Sequence, residues 1–98
     1  MRRTYRSDLN QSELVSFART LGMQVELIGR PTDAMVNISG KWFPVELKAK
    51  KGKYTPAQLD FIDRCAVHGS PMLTWRSIED VQACYEGLHS LRYTEKEQ

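Results

Sequence analysis

The sequence has only two cysteines, four prolines and no long run of apolar residues. Without such a run, no segment can form a transmembrane helix. The basic start, which includes Arg2 and Arg3, lacks the apolar stretch of a secretion signal. A disulfide is unfavourable in the reducing compartment that these features indicate. We therefore predict a cytoplasmic protein that makes no membrane contact.

The bulk composition is that of a small globular chain. Its 98 residues are 41% hydrophobic and 27% charged, which predicts one folded domain over residues 1–98 with frayed ends at about 1–6 and 92–98. The formal net charge of +2 says little about partners. Basic residues cluster at the N-terminus and again at 48–53, and such clusters either contact phosphates or form solvated surface.

Two Cys–His pairs raise the question of zinc. They are Cys65 with His68 and Cys84 with His89. Both cysteines also fall on apolar stripes at helical spacing, and neither pair has the turn that separates zinc-ribbon ligands. Cysteine is readily buried without a metal. We therefore interpret both cysteines as core residues.

The pattern of elements predicts helix, three strands, helix, strand, helix. Asn10 is the expected cap of the first helix and Gly22 its end. Thr55 caps the second helix, with Pro56 at its first position. The strands are expected at about 24–28, 34–38, 42–49 and 72–75, and Ser77 opens the last helix. One residue, Pro44, conflicts with a central strand because it has no N–H to donate.

The segment Glu46-Leu47-Lys48 lies on the third predicted strand. Because side chains alternate along a strand, Glu46 and Lys48 share the face opposite to Leu47. The hairpin can bring Asp33 beside Glu46, and Mg²⁺ prefers such oxygen ligands. The carbonyl of Leu47 is a further candidate ligand, and Lys48 can stabilise charge on a phosphate. An exposed hairpin face with a surface Glu–Lys pair explains the same spacing equally well.

Two further polar residues stand near the starts of predicted helices. Glu13 follows Asn10 at capping-box spacing, and Gln58 follows Thr55 in the same way. Local sequence favours capping for both residues. Either side chain can also lean toward a metal site, because a helix N-terminus offers amides to anions.

From Glu13 to Val81 the chain resembles the VRR-NUC family of the PD-(D/E)xK nuclease superfamily. The resemblance is carried by the segments Pro31-Thr32-Asp33, Glu46-Leu47-Lys48, Lys51-Gly52-Lys53-Tyr54-Thr55-Pro56-Ala57-Gln58 and Trp75-Arg76-Ser77-Ile78-Glu79-Asp80-Val81. It implies an α/β fold with a restriction-endonuclease-like αβββαβ core, a C-terminal helix and a mixed sheet flanked by helices. Two departures are Thr32, which separates the proline from the aspartate, and the large Trp75.

The resemblance also implies roles. Asp33 and Glu46 would bind Mg²⁺ or Mn²⁺, Lys48 would assist the attacking water or the transition state, and Glu13 and Gln58 would support the site. The substrate-contact candidates are Lys50, Lys51, Lys53 and Arg76.

The implied activity is a divalent-metal-dependent DNA endonuclease that hydrolyses phosphodiester bonds at four-way (Holliday) junctions. Such an enzyme serves DNA repair or recombination in a bacterium or a phage-infected cell, and standalone members of the family are regarded as homodimers. Two alternatives stay open: a non-catalytic nucleic-acid-binding module that keeps the nuclease fold, and a structural domain that binds a partner.

Overall fold

The computed structural model describes the backbone of residues 2–97 and the side chains of residues 11–88. Its elements follow the predicted order of helix, three strands, helix, strand and helix. They are α1 (Arg2–Thr20), β1 (Gln24–Leu27), β2 (Ala34–Ile38), β3 (Lys41–Leu47), α2 (Pro56–Val67), β4 (Leu73–Trp75) and α3 (Ile78–Glu97). In the described part of the chain, no helix has the length and hydropathy needed to cross a membrane.

The strands form one mixed sheet in the order β1-β2-β3-β4. The first three pair antiparallel, and β4 returns beside β3 in the parallel direction after α2. The tight β2–β3 turn places Ser39 and Gly40 at positive φ, which glycine adopts without a steric penalty. In this hairpin Ala34 pairs with Val45 at the end away from the turn. The same register places Asp33 opposite Glu46, one position beyond that pair.

One face of the sheet carries the hydrophobic core. Alternating residues of β2 are fully buried there, and α1 and α3 cover them. The core residues are Leu14, Val15, Ala18, Met23, Val25, Ala34, Val36, Ile38, Val45, Leu47, Trp75 and Val81. Trp75 is the largest of the fully buried side chains, so the indole that departs from the expected small residue fills the centre of this core.

The opposite face of the sheet lies toward α2. Thr55 and Gln58 form the predicted capping box, with Pro56 in the first turn. No residue of α2 is buried. The helix therefore lies on the polar side of the sheet, bonded to it through Gln58 and Glu46, without adding a second hydrophobic core.

The ends of the chain differ from the sequence prediction. The helix α1 begins at Arg2, so Asn10 lies inside it and does not cap it. The backbone is also helical over residues 92–97, where a frayed end was expected. Both terminal stretches are polar, so the periodic apolar pattern that reveals a buried helix is missing from them. The side chains of Asn10 and of the N-terminal arginines lie outside the described residues.

Pro44 lies inside β3, paired with Met35 of β2. The N–H of Leu47 points toward β2, and that of Lys48 toward Trp75 of β4. Alternation along the strand directs the nitrogen of Pro44 toward β4, whose pairing begins only at Val45. The proline thus occupies an unpaired side of a central strand, where no ladder hydrogen bond is lost.

Cys65 and Cys84 are free, partly buried thiols on α2 and α3. Burial raises the pKa of the Cys84 thiol, and the neighbouring Trp75 indole opposes that rise. The two cysteines lie on helices that cover opposite faces of the sheet, so each is accounted for by its own packing. The side chain of His89 lies outside the described residues.

Candidate active site

Asp33 and Glu46 meet on the polar face of the sheet, where the β2–β3 hairpin opens. Asp33 immediately precedes β2, and Glu46 is the sixth residue of β3. The Glu46 side chain is only 4% exposed, whereas Asp33 is partly exposed. The expected pairing of these two carboxylates by the hairpin is therefore present in the fold.

Side-chain hydrogen bonds continue the hairpin beyond its last ladder pair. The main-chain N–H of Asp33 donates to Oε1 of Glu46 at 3.2 Å. The N–H of Leu47 donates to Oδ2 of Asp33 at 2.8 Å. Each carboxylate thus accepts an N–H from the opposite strand, which fixes both side chains close to each other.

Gln58 caps α2, as predicted, and also contacts Glu46. Its Oε1 accepts the N–H of Thr55 at 2.9 Å, and its N–H donates to Oγ1 of Thr55 at 3.2 Å, which completes the capping box. Its amide Nε2 donates to Oε2 of Glu46. The capping residue therefore connects the start of α2 to the buried carboxylate.

The surroundings of Glu46 raise the pKa of its carboxyl above the ordinary value of 4.5. Burial is the largest cause, because it penalises the charged form, and the charge of Asp33 adds to it. The N–H of Asp33, the charge of Lys48 and the amide of Gln58 act in the opposite direction. The net effect is a carboxylate whose charge is incompletely compensated by its protein neighbours.

The donor set of this site fits a hard divalent cation. Two carboxylates lie together, and the Leu47 carbonyl points to the same side of β3 as the Leu47 N–H, which contacts Asp33. A cation would offset the burial and the Asp33 charge that together raise the pKa of Glu46. Among the described residues, no third Asp, Glu, His or Cys joins the pair. Mg²⁺ commonly uses one or two carboxylates and completes its shell with water and substrate oxygens.

Lys48 is the first residue after β3, lies on the same side as Glu46 by alternation and is partly buried. Its Nζ lies 5.8 Å from the centroid of the Tyr54 ring. The hydroxyl of Tyr54 is hydrogen-bonded to Oγ1 of Thr74, the residue of β4 that pairs with Glu46. The ammonium therefore lies among groups that are fixed to the same sheet as the carboxylates.

The helix α1 presents a different residue to the site from the one expected. Nε2 of Gln11 contacts the carbonyl oxygen of Leu47 at 3.4 Å. Glu13 is exposed, and two residues along an α-helix correspond to a rotation of about 200° from Gln11. The structure thus turns Gln11 toward β3, and Glu13 is not brought together with Asp33 and Glu46. The orientation of α1 on the sheet determines which of the two residues faces β3. The spacing of residues within the helix does not predict that orientation.

Lys50, Lys51 and Lys53 are exposed on the loop that follows β3, as substrate contacts require. Arg76 is differently placed. Its Nη1 donates to the carbonyl of Ala49 at 3.0 Å and to that of Gly52 at 2.5 Å. The guanidinium therefore binds the backbone of the loop.

A groove of about 430 Å³ adjoins the site between the β1–β2 turn and α2. It shares Gln58 with the carboxylate site, and its lining includes Arg30, Phe61 and Arg64. Arg64 is paired with Asp60 and lies 5.7 Å from the Phe61 ring. No sequence motif singles out these arginines. Arg64 follows Phe61 by three residues, which is the spacing of one helix face and the only local signal for the groove.

A solved structure described as a VRR_NUC domain is similar to this chain, with a TM-score of 0.64 and 25% sequence identity. The likeness covers 79% of this chain and 95% of that chain. No family model matches the sequence, and no curated protein matches it significantly. The structural likeness confirms the expected mixed α/β fold of a nuclease-family domain and supports the assignment of this chain to the VRR-NUC family.

Proposed function

We propose that this protein is a divalent-metal-dependent DNA endonuclease that hydrolyses phosphodiester bonds. The observation that carries the proposal is the paired placement of Asp33 and Glu46 across the hairpin, with Lys48 next on the same face. Two carboxylates with an adjacent ammonium suit a reaction in which negative charge grows on phosphate oxygens. The nuclease-family fold is consistent with this chemistry.

Each residue has a distinct part in this mechanism. Asp33, Glu46 and the carbonyl of Leu47 would hold Mg²⁺ or Mn²⁺, which supplies Lewis-acid stabilisation of phosphate charge and lowers the pKa of bound water. Lys48 would supply an ammonium that stabilises the charge developing on the phosphate. Gln58 holds one oxygen of Glu46, so the other oxygen keeps a defined direction.

DNA is the proposed substrate because basic side chains lie on two sides of the carboxylates. Lys50, Lys51 and Lys53 are on the loop that follows β3, and Arg30 and Arg64 line the groove beside Gln58. Phosphates can follow such a path without base-specific contacts. We propose four-way junctions as the preferred structure, within DNA repair or recombination.

A homodimer is part of this proposal. Symmetric cutting of a junction requires two sites related by a twofold axis. The chain also exposes large apolar side chains, including Leu27 on the edge strand β1 and Val67 at the end of α2. Light scattering at working concentration tests this point, and the mass of a single 11.3 kDa chain would contradict it.

Cleavage of labelled four-way junction, flap and linear duplex DNA tests the activity directly. We expect cutting only with Mg²⁺ or Mn²⁺, and we expect Asp33→Ala and Lys48→Ala to lower the rate by at least about 100-fold each. The matched controls are Lys41→Ala, at the far end of β3, and Asp63→Ala, which is exposed on α2. Both controls should cut at the wild-type rate.

The same experiment separates the alternatives. Tight junction binding without cleavage in either metal would establish a non-catalytic binding module. Absence of salt-sensitive DNA binding would favour a structural domain, because phosphate contacts weaken steeply with rising salt. Cutting that survives both substitutions would show that the site is elsewhere.

A further inference from the structure

We propose that Tyr54 is a positioning residue for Lys48, and that Arg76 closes the loop that carries Tyr54. The inference rests on the proposed nuclease function and adds to it residues that hold the ammonium beside Glu46. A lysine side chain has four rotatable bonds and is costly to order, so a lysine that acts at one defined point needs neighbours that restrict it.

The Tyr54 ring is fixed at both its hydroxyl and its face. The hydroxyl is hydrogen-bonded to Oγ1 of Thr74 on β4, directly beside Glu46 in the strand register. The Lys48 ammonium lies 5.8 Å from the ring centroid, and the Arg76 guanidinium lies 5.7 Å from it. Both cations are within the distance at which the ring attracts positive charge. A ring anchored to β4 can therefore restrict the ammonium that follows Glu46 on β3.

Arg76 holds the backbone that delivers this ring. The Nη1 of Arg76 donates to the carbonyls of Ala49 and Gly52. These two residues are the ends of a tight turn, in which the Gly52 N–H donates to the Ala49 carbonyl at 3.0 Å. The main-chain N–H of Arg76 in turn donates to the Asp80 carboxylate at 2.8 Å. The loop between β3 and α2 is thus tied to the start of α3.

Gly52 fits closely against the lysine stem. A Cβ at this position would lie 3.4 Å from the backbone N and O of Ala49 and 3.6 Å from Cδ of Lys48. These are ordinary van der Waals distances, so the turn packs directly against the stem of Lys48. The turn, the ring and the sheet therefore surround Lys48, and the position of its Nζ depends on all three.

Side-chain NMR tests the placement without any need for catalysis. A nearby aromatic ring shifts the resonances of protons that face it, so the Lys48 Cε protons should depart from random-coil values in the wild type. The departure should persist in Tyr54→Phe and disappear in Tyr54→Leu. Trp42→Leu, which removes an exposed aromatic residue from the far end of β3, is the matched control and should leave it unchanged.

Single-turnover cleavage tests the role. We expect Tyr54→Leu to lower the single-turnover rate at saturating DNA roughly tenfold, because the ammonium is misplaced. The DNA concentration that gives half of the maximal rate should not change. Tyr54→Phe should lose less than about threefold, because the ring remains. In a Lys48→Ala background, Tyr54→Leu should have no further effect, because the group it positions is gone.

The outcomes separate this inference from the proposed function. Equal Lys48 shifts in the wild type and Tyr54→Leu, or rate losses that multiply in the double variant, would overturn the inference. A wild type that cuts no DNA but shows the ring-dependent shift would overturn the nuclease proposal, while the placement of Lys48 by Tyr54 would stand.

Discussion

Asp33 and Glu46 are joined across the hairpin by a main-chain hydrogen bond, in which the Asp33 N–H donates to Oε1 of Glu46 at 3.2 Å. The same turn of chain that sets the strand register also sets the separation of the carboxylates. A shift in register by one residue would turn Glu46 toward the core face and dismantle the site. Folding of the hairpin and assembly of the candidate metal site are thus one event.

The first prediction concerns the protonation of Glu46. We expect NMR titration of the metal-free protein to give this carboxyl a pKa above 4.5, because it is buried beside another carboxylate. Asp33→Asn should lower the pKa, since it removes the second cause of the shift. A value at or below 4.5 in the wild type would contradict this electrostatic description.

The raised pKa has a defined effect on stability. In the window between 4.5 and the raised value, the folded state binds more protons at Glu46 than the unfolded state does. The contribution of this residue to the free energy of unfolding therefore falls as the pH rises through that window. Urea denaturation of the wild type and Glu46→Gln across pH isolates the effect, because the variant lacks the titrating group. A difference independent of pH would contradict the prediction.

The second prediction distinguishes Gln11 from Glu13. Gln11→Ala should weaken Mn²⁺ binding by roughly tenfold, because the Leu47 carbonyl loses the neighbour that orients it. Glu13→Ala, a matched change on an exposed side of the same helix, should leave the dissociation constant unchanged. Calorimetry with Mn²⁺ measures both. A loss of binding in Glu13→Ala alone would instead support the role that family resemblance implies.

The carboxylate pair could be predicted from sequence because its determinants are local. Alternation places Glu46 and Lys48 on one face, and the short turn after Ile38 returns β3 beside Asp33. The capping role of Gln58 follows equally from the residues around it. Its approach to the site was left open by the local sequence, and family resemblance implied it.

The remaining features depend on how elements dock. The rotation of α1 on the sheet selects Gln11 over Glu13, and the closure of a distant loop occupies the guanidinium of Arg76. The groove that Arg30 and Arg64 line exists because α2 lies near the β1–β2 turn. Periodicity and capping patterns carry no information about how these elements dock against each other.

The third prediction concerns the groove. Arg30→Ala and Arg64→Ala should each weaken junction binding and reduce the slope of log affinity against log salt by about one, as loss of a phosphate contact does. Arg64 is already paired with Asp60, so its effect should be the smaller. Fluorescence anisotropy with Ca²⁺ or without metal measures binding in the absence of cutting.

Two comparisons control the groove experiment. Lys41→Ala removes a positive charge distant from the groove and should leave the salt slope unchanged. Lys51→Ala, on the exposed loop, should reduce it as Arg30→Ala does. Unchanged slopes for both arginines would exclude the groove from the DNA path.

The fourth prediction concerns the core. Trp75 is fully buried, so Trp75→Ala should lower the free energy of unfolding by about 3–5 kcal/mol. Trp42→Ala, at the only other tryptophan, should change it by less than about 0.5 kcal/mol because that side chain is 45% exposed. Urea denaturation followed by circular dichroism measures both. Equal losses would contradict the division of the sheet into a core face and a polar face.

The absence of buried residues from α2 has an evolutionary consequence. Most positions of this helix are exposed, so substitutions there meet little packing constraint, and its hydrogen-bonded connections are the cap at Thr55 and the bond from Gln58 to Glu46. Selection can therefore alter the helix side of the groove while the sequence of the core stays fixed. Under the proposed function, we expect substitutions in this one helix to change which DNA structure the protein prefers.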